Sequence, residues 1–375
     1  MTNLVQVPRT AKHRRRVLHT VIAFAVALVF ACATEKPVMN PHYNSAKSHH
    51  TPTGFVNNYP HPGPQSYWSW QWERWRNGVP VVPEGGWHFP LQKPDVALLK
   101  ANRTQNTVTW IGHATVLLQL SGVNILTDPH FTERASPLSF AGPKRWVLPA
   151  LRLDELPHID IVLISHNHYD HLDLATVRRL AQQAGGPPRF YVPLGLARWF
   201  REQNLPVHAE LDWWDRRDDG TLAVHLVPMQ HWSARTPWDR NETLWGGFVV
   251  EAPDFRFICT GDTGYSADFK DIGKRFGSFD LAALPIGAYA PRWFMQTQHV
   301  NPAEAVQIHR DLNARQSLAV HWGTFVLTDE PLDELPRQLA EALDAQGVPR
   351  SAFWVFTHGE TRTLTPAARA RRAAD

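Results

Sequence analysis

One segment constrains the fold more than any other, because it joins an apolar strand to a dense set of metal-binding side chains. The apolar run 159–164 leads into Ser165-His-Asn-His-Tyr-Asp-His-Leu-Asp173, with three imidazoles and one carboxylate inside six residues. Imidazole nitrogen and carboxylate oxygen are ligands that zinc and related divalent ions prefer. Several fixed ligand positions favour a metal site over a solvated polar loop. The segment therefore predicts a metal site at the end of a buried strand.

Composition limits both the class of protein and the source of further ligands. The chain has 375 residues, 43% of them apolar, which suffices for one large domain or two ordinary ones. Its net charge of +3 includes five basic residues before residue 17, so the remainder carries a formal −2. That balance does not resemble a nucleic-acid binder, and we expect no nucleic-acid partner. Only Cys32 and Cys259 are present, so His and Asp must hold any metal.

The first 32 residues have the pattern of a targeting segment. A basic stretch at 12–16 precedes the apolar run 21–31, which is short for a transmembrane helix and typical of a signal-peptide core. Val29-Phe-Ala-Cys32 resembles a bacterial lipoprotein box, although Phe30 is unusual within it. We expect export and membrane association through a lipid on Cys32. An uncleaved N-terminal anchor, or an apolar start without targeting function, are the alternatives.

Residues 33–100 form a Pro- and Trp-rich N-terminal arm in this interpretation. Its densest part is Tyr67-Trp-Ser-Trp-Gln-Trp-Glu-Arg-Trp75. Amphipathic aromatic rings are typical of membrane interfaces. We favour the alternative that these rings pack an extended arm onto the main domain. That domain is expected over 101–366, followed by a frayed tail at 367–375.

The main domain alternates clusters of strands with helices. Strands are predicted over 107–111, 114–120, 123–127, 160–164, 190–193, 222–227, 244–251, 255–260, 281–285 and 317–320, and helices over 173–184, 302–312 and 332–345. This order predicts an α/β fold in which two sheets are sandwiched by helices, a four-layer αββα arrangement.

Three later polar residues share the setting of the histidine cluster. His231, Asp262 and His321 each lie shortly after an apolar strand. Each alone is compatible with an ordinary loop residue. Together they supply the ligands that the cluster lacks for a site with two metal ions.

The full pattern of these seven residues is similar to that of the metallo-β-lactamase superfamily. Longer strings resemble the family of N-acyl-phosphatidylethanolamine-hydrolysing phospholipase D over about residues 50–360. These strings are the histidine cluster, Trp110-Ile-Gly-His-Ala-Thr115, Thr127-Asp-Pro-His-Phe131, the segment 136–146, Gly261-Asp-Thr-Gly-Tyr265, Pro285-Ile-Gly-Ala-Tyr289, Pro291-Arg-Trp-Phe-Met295, Gln298-His-Val300 and His321-Trp-Gly-Thr-Phe325.

The resemblance implies a metallo-β-lactamase sandwich with two zinc ions. One zinc would be held by His166, His168 and His231, the second by Asp170, His171 and His321, with Asp262 bridging. Asp170, Asp262 and His299 would take part in catalysis, and Tyr169 and His299 would contact the substrate near its phosphate.

The implied reaction is hydrolysis of N-acyl-phosphatidylethanolamine, or a related glycerophospholipid, to phosphatidic acid and N-acylethanolamine. A hydroxide bridging the two metals would attack phosphorus. The expected partners are the phospholipid and a membrane surface, with a homodimer left open. Alternatives are another hydrolase on the same metal core, such as a sugar-phosphate lactonase, or a non-catalytic lipid- or metal-binding lipoprotein.

Several other residues receive supporting interpretations. Asp128 is expected to hold a metal-binding imidazole in its tautomer. His113 is expected to lie behind the ligands or in the core rather than to bind metal. The apolar segment 292–295 is expected either to line a groove for an acyl chain or to pack in the core.

Overall fold

A computed structural model describes residues 39–63, 65–79 and 82–365. The expectations for residues 1–32, including the lipid on Cys32, and for the tail at 367–375 fall outside the described residues. The described residues from Pro41 onward belong to one compact unit.

Sixteen strands are found in the described part of the chain. They are β1 His50–Thr51, β2 Gly54–Phe55, β3 Thr107–Gly112, β4 Thr115–Leu120, β5 Val123–Thr127, β6 Ile161–Leu163, β7 Arg189–Pro193, β8 Ala209–Leu211, β9 Arg216–Asp219, β10 Leu222–Val227, β11 Gly247–Glu251, β12 Arg256–Cys259, β13 Leu281–Pro285, β14 Ser317–Val320, β15 Phe353–Trp354 and β16 Thr361–Thr363.

Eight α-helices accompany these strands in the described ranges. They are α1 Tyr67–Asn77, α2 Val96–Ala101, α3 Leu174–Ala181, α4 Leu196–Glu202, α5 Asp268–Phe276, α6 Arg292–Met295, α7 Pro302–Asp311 and α8 Leu335–Ala345. None of the helices described is long and apolar enough to cross a membrane.

Two seven-stranded sheets carry the architecture, and each changes from antiparallel to parallel pairing. The first has the order β16-β3-β4-β5-β6-β7-β8 and becomes parallel from β5 onward. The second has the order β15-β14-β13-β12-β11-β10-β9 and is parallel from β12 to β15. In each sheet, strands that run in the same direction end at the same edge, and the loops that follow them can meet there.

Alternating burial along the strands builds four layers. In β6, Ile161 and Leu163 join the core between the sheets, whereas Val162 packs outward with α2, α3 and α4. The second sheet is covered on its outer side by α5, α7 and α8, whose apolar faces join the larger core. The αββα sandwich predicted from the sequence is confirmed.

The strands of the main domain lie close to their predicted positions. The bounds of β5, β10, β13 and β14 agree with the sequence. The strand predicted over 244–251 begins only at Gly247, and the helix predicted over 173–184 ends at Ala181. The helix predicted over 332–345 begins at Leu335.

The extended conformation expected for the Trp-rich segment is wrong, because α1 is a helix. Ser66 caps it by accepting a hydrogen bond from the Ser69 amide at 3.2 Å. Trp68 and Trp72 lie four residues apart and Trp75 three further, which places them on one helical face. All three are exposed, and only Trp70 is buried.

Candidate metal centre

The seven predicted ligands converge at one edge of the sandwich, because each follows a strand that ends there. The histidine cluster follows β6, His231 follows β10, Asp262 follows β12 and His321 follows β14. His113 lies in the turn between β3 and β4 and joins them. His113 and His321 both have positive φ angles, of 52° and 60°, which are uncommon for residues with side chains. Such turns are common at functional sites.

A close approach of two loops brings the clusters together. Gly261, with a φ of +61°, stands immediately before Asp262, and a Cβ there would lie 2.5 Å from the Cβ of Ser165. Only glycine allows the loop after β12 to pass this close to the loop after β6.

The first group of candidate ligands consists of three imidazoles and one carboxylate. The Nε2 atom of His166 lies 2.8 Å from Nδ1 of His168, and Nε2 of His231 lies 3.3 Å from the same atom. The Oδ2 atom of Asp262 lies 4.0 Å from His166 Nε2 and 3.9 Å from His231 Nε2. These four residues can offer ligand atoms to a single ion.

The second group shares Asp262 with the first. His321 Nε2 lies 3.2 Å from Asp262 Oδ1 and 3.3 Å from Asp170 Oδ2. His171 Nε2 lies 3.1 Å from Asp262 Oδ2 and 3.4 Å from Asp170 Oδ2. The two oxygens of Asp262 thus face both groups, as expected of a bridging carboxylate. His113 adds a contact of 3.0 Å between its Nε2 and Asp170 Oδ2.

Hydrogen bonds on the far side of the rings orient them toward the centre. His231 Nδ1 lies 2.9 Å from the carbonyl oxygen of Gln298, which can only accept, so Nδ1 carries the proton and Nε2 keeps its lone pair. His171 Nδ1 lies 2.8 Å from the Asp128 carboxylate, which also accepts hydrogen bonds from Ser165. Asp128 therefore holds a candidate ligand in its tautomer, as the sequence indicated.

Burial and the two carboxylates determine the charge of the groups. Burial lowers the pKa of His168 and of His231 to about 3, so both rings are neutral at pH 7. Burial opposes charge on His321 as well, but the carboxylates of Asp262 and Asp170 outweigh it and raise its pKa to about 9. Despite burial, imidazole neighbours hold the pKa values of Asp170 and Asp262 well below their usual range.

The donor set fits divalent cations of the zinc type. Three imidazole nitrogens of the first group lie close to one another, and there are too few protons to pair all their lone pairs. A cation between the three nitrogens stabilises such an arrangement. Within the part of the chain that the structure describes, the buried Asp262 Oδ1 has no hydrogen-bond partner. The described residues include one cysteine, Cys259, which is buried, and burial raises the pKa of its thiol. The ligands available at the centre are therefore nitrogen and oxygen atoms.

The two predicted substrate residues have different neighbours. His299 follows α6, its Nδ1 is 3.9 Å from Asp262 Oδ2, and burial lowers its pKa to about 3. Tyr169 donates a hydrogen bond from its hydroxyl to the carbonyl oxygen of Arg235 at 3.1 Å. The Arg235 guanidinium covers the Tyr169 ring at 3.9 Å.

Other functional positions could not be found from the sequence pattern. Asn57, in the N-terminal region, bonds to the backbone of His231, 174 positions away. Arg235 donates through Nη1 to the carbonyl oxygens of Asn167 and Leu172 and so holds the ligand loop after β6. Arg235 lies four residues after His231, and this proximity in sequence was the only available signal.

Comparison with known proteins agrees with this geometry. The Beta-lactamase superfamily domain matches residues 123–322. The N-acyl-phosphatidylethanolamine-hydrolyzing phospholipase D 1 of Caenorhabditis elegans is 43% identical over 249 residues, which cover 64% of this chain and 70% of the relative. The chain belongs to this phospholipase D family of the metallo-β-lactamase superfamily.

Further members and structures extend the comparison. The mitochondrial N-acyl-phosphatidylethanolamine-hydrolyzing phospholipase D of Saccharomyces cerevisiae is 36% identical over 64% of this chain and 52% of its own length. An uncharacterised protein of Mycobacterium tuberculosis is 40% identical over 69% of each chain. The crystal structure of a possible metal-dependent hydrolase from Veillonella parvula superposes with a TM-score of 0.57 at 17% identity, over 70% of this chain and all of that one. Fold, clusters and family together identify a metallohydrolase.

Proposed function

We propose that the protein is a zinc-dependent phosphodiesterase that releases N-acylethanolamine and phosphatidic acid from N-acyl-phosphatidylethanolamine. The observation that carries the proposal is the pair of ligand groups joined through Asp262, whose Oδ2 faces His231 of the first group and whose Oδ1 faces His321 of the second. Two ions held in this way suit an in-line displacement at phosphorus, in which both the attacking and the leaving oxygen need stabilisation. The family supports the choice of phospholipid.

In the proposal, each of the two ligand groups binds one zinc ion. His166, His168 and His231 would hold one ion, Asp170, His171 and His321 would hold the other, and Asp262 would contribute to both. When two divalent ions are bound, they supply a water of lowered pKa and neutralise charge on the phosphoryl oxygens. The protein's own part is to keep His168 and His231 neutral and to hold all the ligand rings oriented and away from bulk water.

His299 is proposed to contact the phosphoryl group or the leaving oxygen. Its buried Nδ1 has no hydrogen-bond partner among the described residues, and its ring centroid lies 5.2 Å from that of His231. A neutral imidazole can donate one hydrogen bond and accept another, which suits an oxygen that gains charge during the reaction. Because Arg292 binds the carbonyl oxygen of His299 at 2.8 Å, the backbone is fixed beneath the ring.

Tyr169 is proposed to contact substrate in a cavity beside the ligand loop. This cavity has a volume of about 510 Å³, and its walls include Tyr169, Leu172, Trp199 and Arg235. Replacement of Tyr169 by Phe removes only the hydroxyl. A raised KM with retained metal content would support substrate contact, whereas unchanged kinetics would leave Tyr169 with the loop-packing role.

A membrane surface is the proposed setting of the reaction. Trp68, Trp72 and Trp75 are exposed at 79%, 60% and 75%, and amphipathic indole rings prefer the interface between lipid and water. We further propose that Cys32 carries a lipid after export. Metabolic labelling with palmitate in the wild type, lost in Cys32→Ser, is the expected result, and equal labelling of both would contradict it.

The decisive experiment offers the purified protein three kinds of substrate: N-acyl-phosphatidylethanolamine, ordinary phosphatidylethanolamine and a panel of lactones. We expect release of N-acylethanolamine and about two zinc ions per chain. His168→Ala and Asp262→Asn should abolish the release, and His309→Ala, on α7 and bonded to Ser317, is the matched control.

The same experiment tests the two alternatives. Turnover of lactones without cleavage of phospholipid would replace the proposal with a sugar-phosphate lactonase or a related hydrolase. Absence of both zinc and turnover would favour a non-catalytic lipoprotein.

A further inference from the structure

An exposed arginine, Arg240, has no acidic partner among the described residues and packs against Trp232, the neighbour in sequence of the candidate ligand His231. No ion pair or hydrogen bond of the Arg240 guanidinium is found among the described residues, and its recorded contact is with the face of the Trp232 ring, at 4.1 Å. Burial lowers the pKa of Arg240, and no neighbouring carboxylate offsets that effect. A guanidinium in this state has lost part of its hydration without gaining a counter-charge.

Arg240 and the candidate ligand His231 line the same cavity. The cavity has a volume of about 220 Å³, and its walls include Asn57, His61, His231, Trp232, Arg240 and Gln298. His231 is a candidate ligand, and the Trp232 ring contacts the ring of another, His168, at 4.3 Å between centroids. Trp232 thus lies between the guanidinium and the first ligand group, and a substrate that reaches His231 through this cavity passes Arg240.

The walls offer no carboxylate that would compete for the guanidinium. Asn57 and His61 are hydrogen-bonded to each other at 3.0 Å. Nδ1 of His231 is hydrogen-bonded to the carbonyl oxygen of Gln298. The nearby Asp239 is occupied by the backbone amides of Arg235 and Thr236. The charge of Arg240 is therefore available to a ligand that enters the cavity.

We infer that Arg240 is a specificity-determining residue that selects phosphodiesters with a net negative head group over zwitterionic ones. This inference rests on the proposed function. An unacylated ethanolamine head group carries an ammonium close to its phosphate, and Arg240 repels that ammonium. N-acylation converts the ammonium into a neutral amide and leaves only the negative charge, which Arg240 attracts.

The test compares the two head groups in mixed micelles of one composition. The variants are Arg240→Gln, which removes the charge, and Arg240→Lys, which keeps it. Arg201→Gln, at an exposed arginine of α4 that lines neither cavity described above, is the matched control.

The expected result is a change in selectivity with little loss of zinc. In Arg240→Gln, the ratio of kcat/KM for the N-acylated over the unacylated lipid falls roughly tenfold, the size of one charged hydrogen bond, mainly through KM. Arg240→Lys retains most of the ratio, and the control retains all of it. An unchanged ratio in a folded, zinc-loaded Arg240→Gln protein would overturn the inference.

A binding measurement separates this inference from the proposed function. Calorimetry with the soluble head groups glycerophospho-N-acetylethanolamine and glycerophosphoethanolamine requires no turnover of lipid. We expect tighter binding of the first by the wild type and loss of that preference in Arg240→Gln. If the wild type cleaves no phospholipid but shows this preference, the proposed reaction fails and Arg240 keeps its role. If both head groups bind equally to the wild type, the role of Arg240 is wrong.

Discussion

Asn57 and His231 form a reciprocal pair of hydrogen bonds. The Asn57 side chain donates from Nδ2 to the His231 carbonyl oxygen and accepts from the His231 amide at Oδ1, both at 3.0 Å. The Trp245 indole also donates to Oδ1, at 3.2 Å. A residue of the N-terminal region therefore fixes the backbone of a candidate metal ligand in the second sheet.

Asn57→Leu should weaken metal binding without unfolding the protein. The side chain remains similar in size, but both hydrogen bonds to the His231 backbone are lost, and a misplaced partner of a metal ligand typically costs 10- to 100-fold in affinity. Zinc affinity can be measured by competition with a chromophoric chelator. Asn58→Leu is the matched control, because Asn58 bonds instead to Asp268 on α5, at 2.9 Å. Equal losses of zinc affinity in both variants would mean that docking of the N-terminal region, rather than the bonds to the His231 backbone, supports metal binding.

Asp128→Asn should selectively reduce the affinity of one metal position. The Asp128 carboxylate accepts from the amide and hydroxyl of Ser165 and faces Nδ1 of His171 at 2.8 Å. An amide in its place can present an NH₂ group to His171 and allow the wrong tautomer. We expect the zinc content to fall from about two toward one ion per chain after dialysis. Retention of both ions would show that His171 needs no carboxylate behind it.

The sequence predicted the ligand residues well because their signal is local. Four of the seven ligand residues lie within the six-residue segment 166–171, shortly after β6. His231, Asp262 and His321 each follow an apolar strand. The contacts that complete the site are not local. Neither the bond between Asn57 and His231 nor the exposure of an unpaired Arg240 follows from a pattern of neighbouring residues. These contacts depend on how distant loops meet at the edge of the sandwich.

The N-terminal region shows a second limit of sequence patterns. Tryptophans at 68, 70 and 72 match the two-residue period of an extended segment, yet Ser66 starts a helix there. The three- and four-residue spacing of Trp68, Trp72 and Trp75 was present too. Short aromatic segments satisfy both periods, and tertiary contacts of Trp70 determine which is realised.

A buried carboxylate should make attachment of the N-terminal region dependent on pH. Asp212 accepts hydrogen bonds from His49 at 2.7 Å and His50 at 2.9 Å, and pairs with Lys47. Burial opposes ionisation, but the bonds from His49 and Lys47 hold the pKa of Asp212 well below its usual range. A depressed carboxyl pKa stabilises the fold above the unfolded value, near 4, and this contribution is lost as the pH falls through the folded pKa.

Asp212→Asn should therefore cost about 2 kcal/mol in the free energy of unfolding at pH 7, and progressively less below about pH 4. Thermal or urea unfolding at pH 7 and below about pH 4 measures the difference in unfolding free energy between the variant and the wild type. Asp218→Asn is the control, since Asp218 is an exposed residue of β9 that pairs with the exposed Arg216 and should cost less than about 0.5 kcal/mol. A difference that stays constant with pH would exclude ionised Asp212 as its cause.

The tryptophans of α1 should divide into one that holds the helix and three that bind lipid. Trp70 stacks on Phe294 at 4.9 Å between ring centroids and donates from its indole to Asp329 at 2.5 Å, so Trp70→Ala should cost about 3 kcal/mol of stability.

Trp68, Trp72 and Trp75 are exposed, and their joint replacement by Ser should leave the stability nearly unchanged. Because burial of even one such ring in an interface contributes about 1.5 kcal/mol, or about tenfold in affinity, the triple variant should lose at least roughly tenfold in binding to phospholipid vesicles. Sedimentation with vesicles, in a Cys32→Ser background that removes the proposed lipid anchor, measures this binding. Unchanged vesicle binding in the triple variant would assign membrane contact to another surface, and a large loss of stability would mean that the three rings serve the fold.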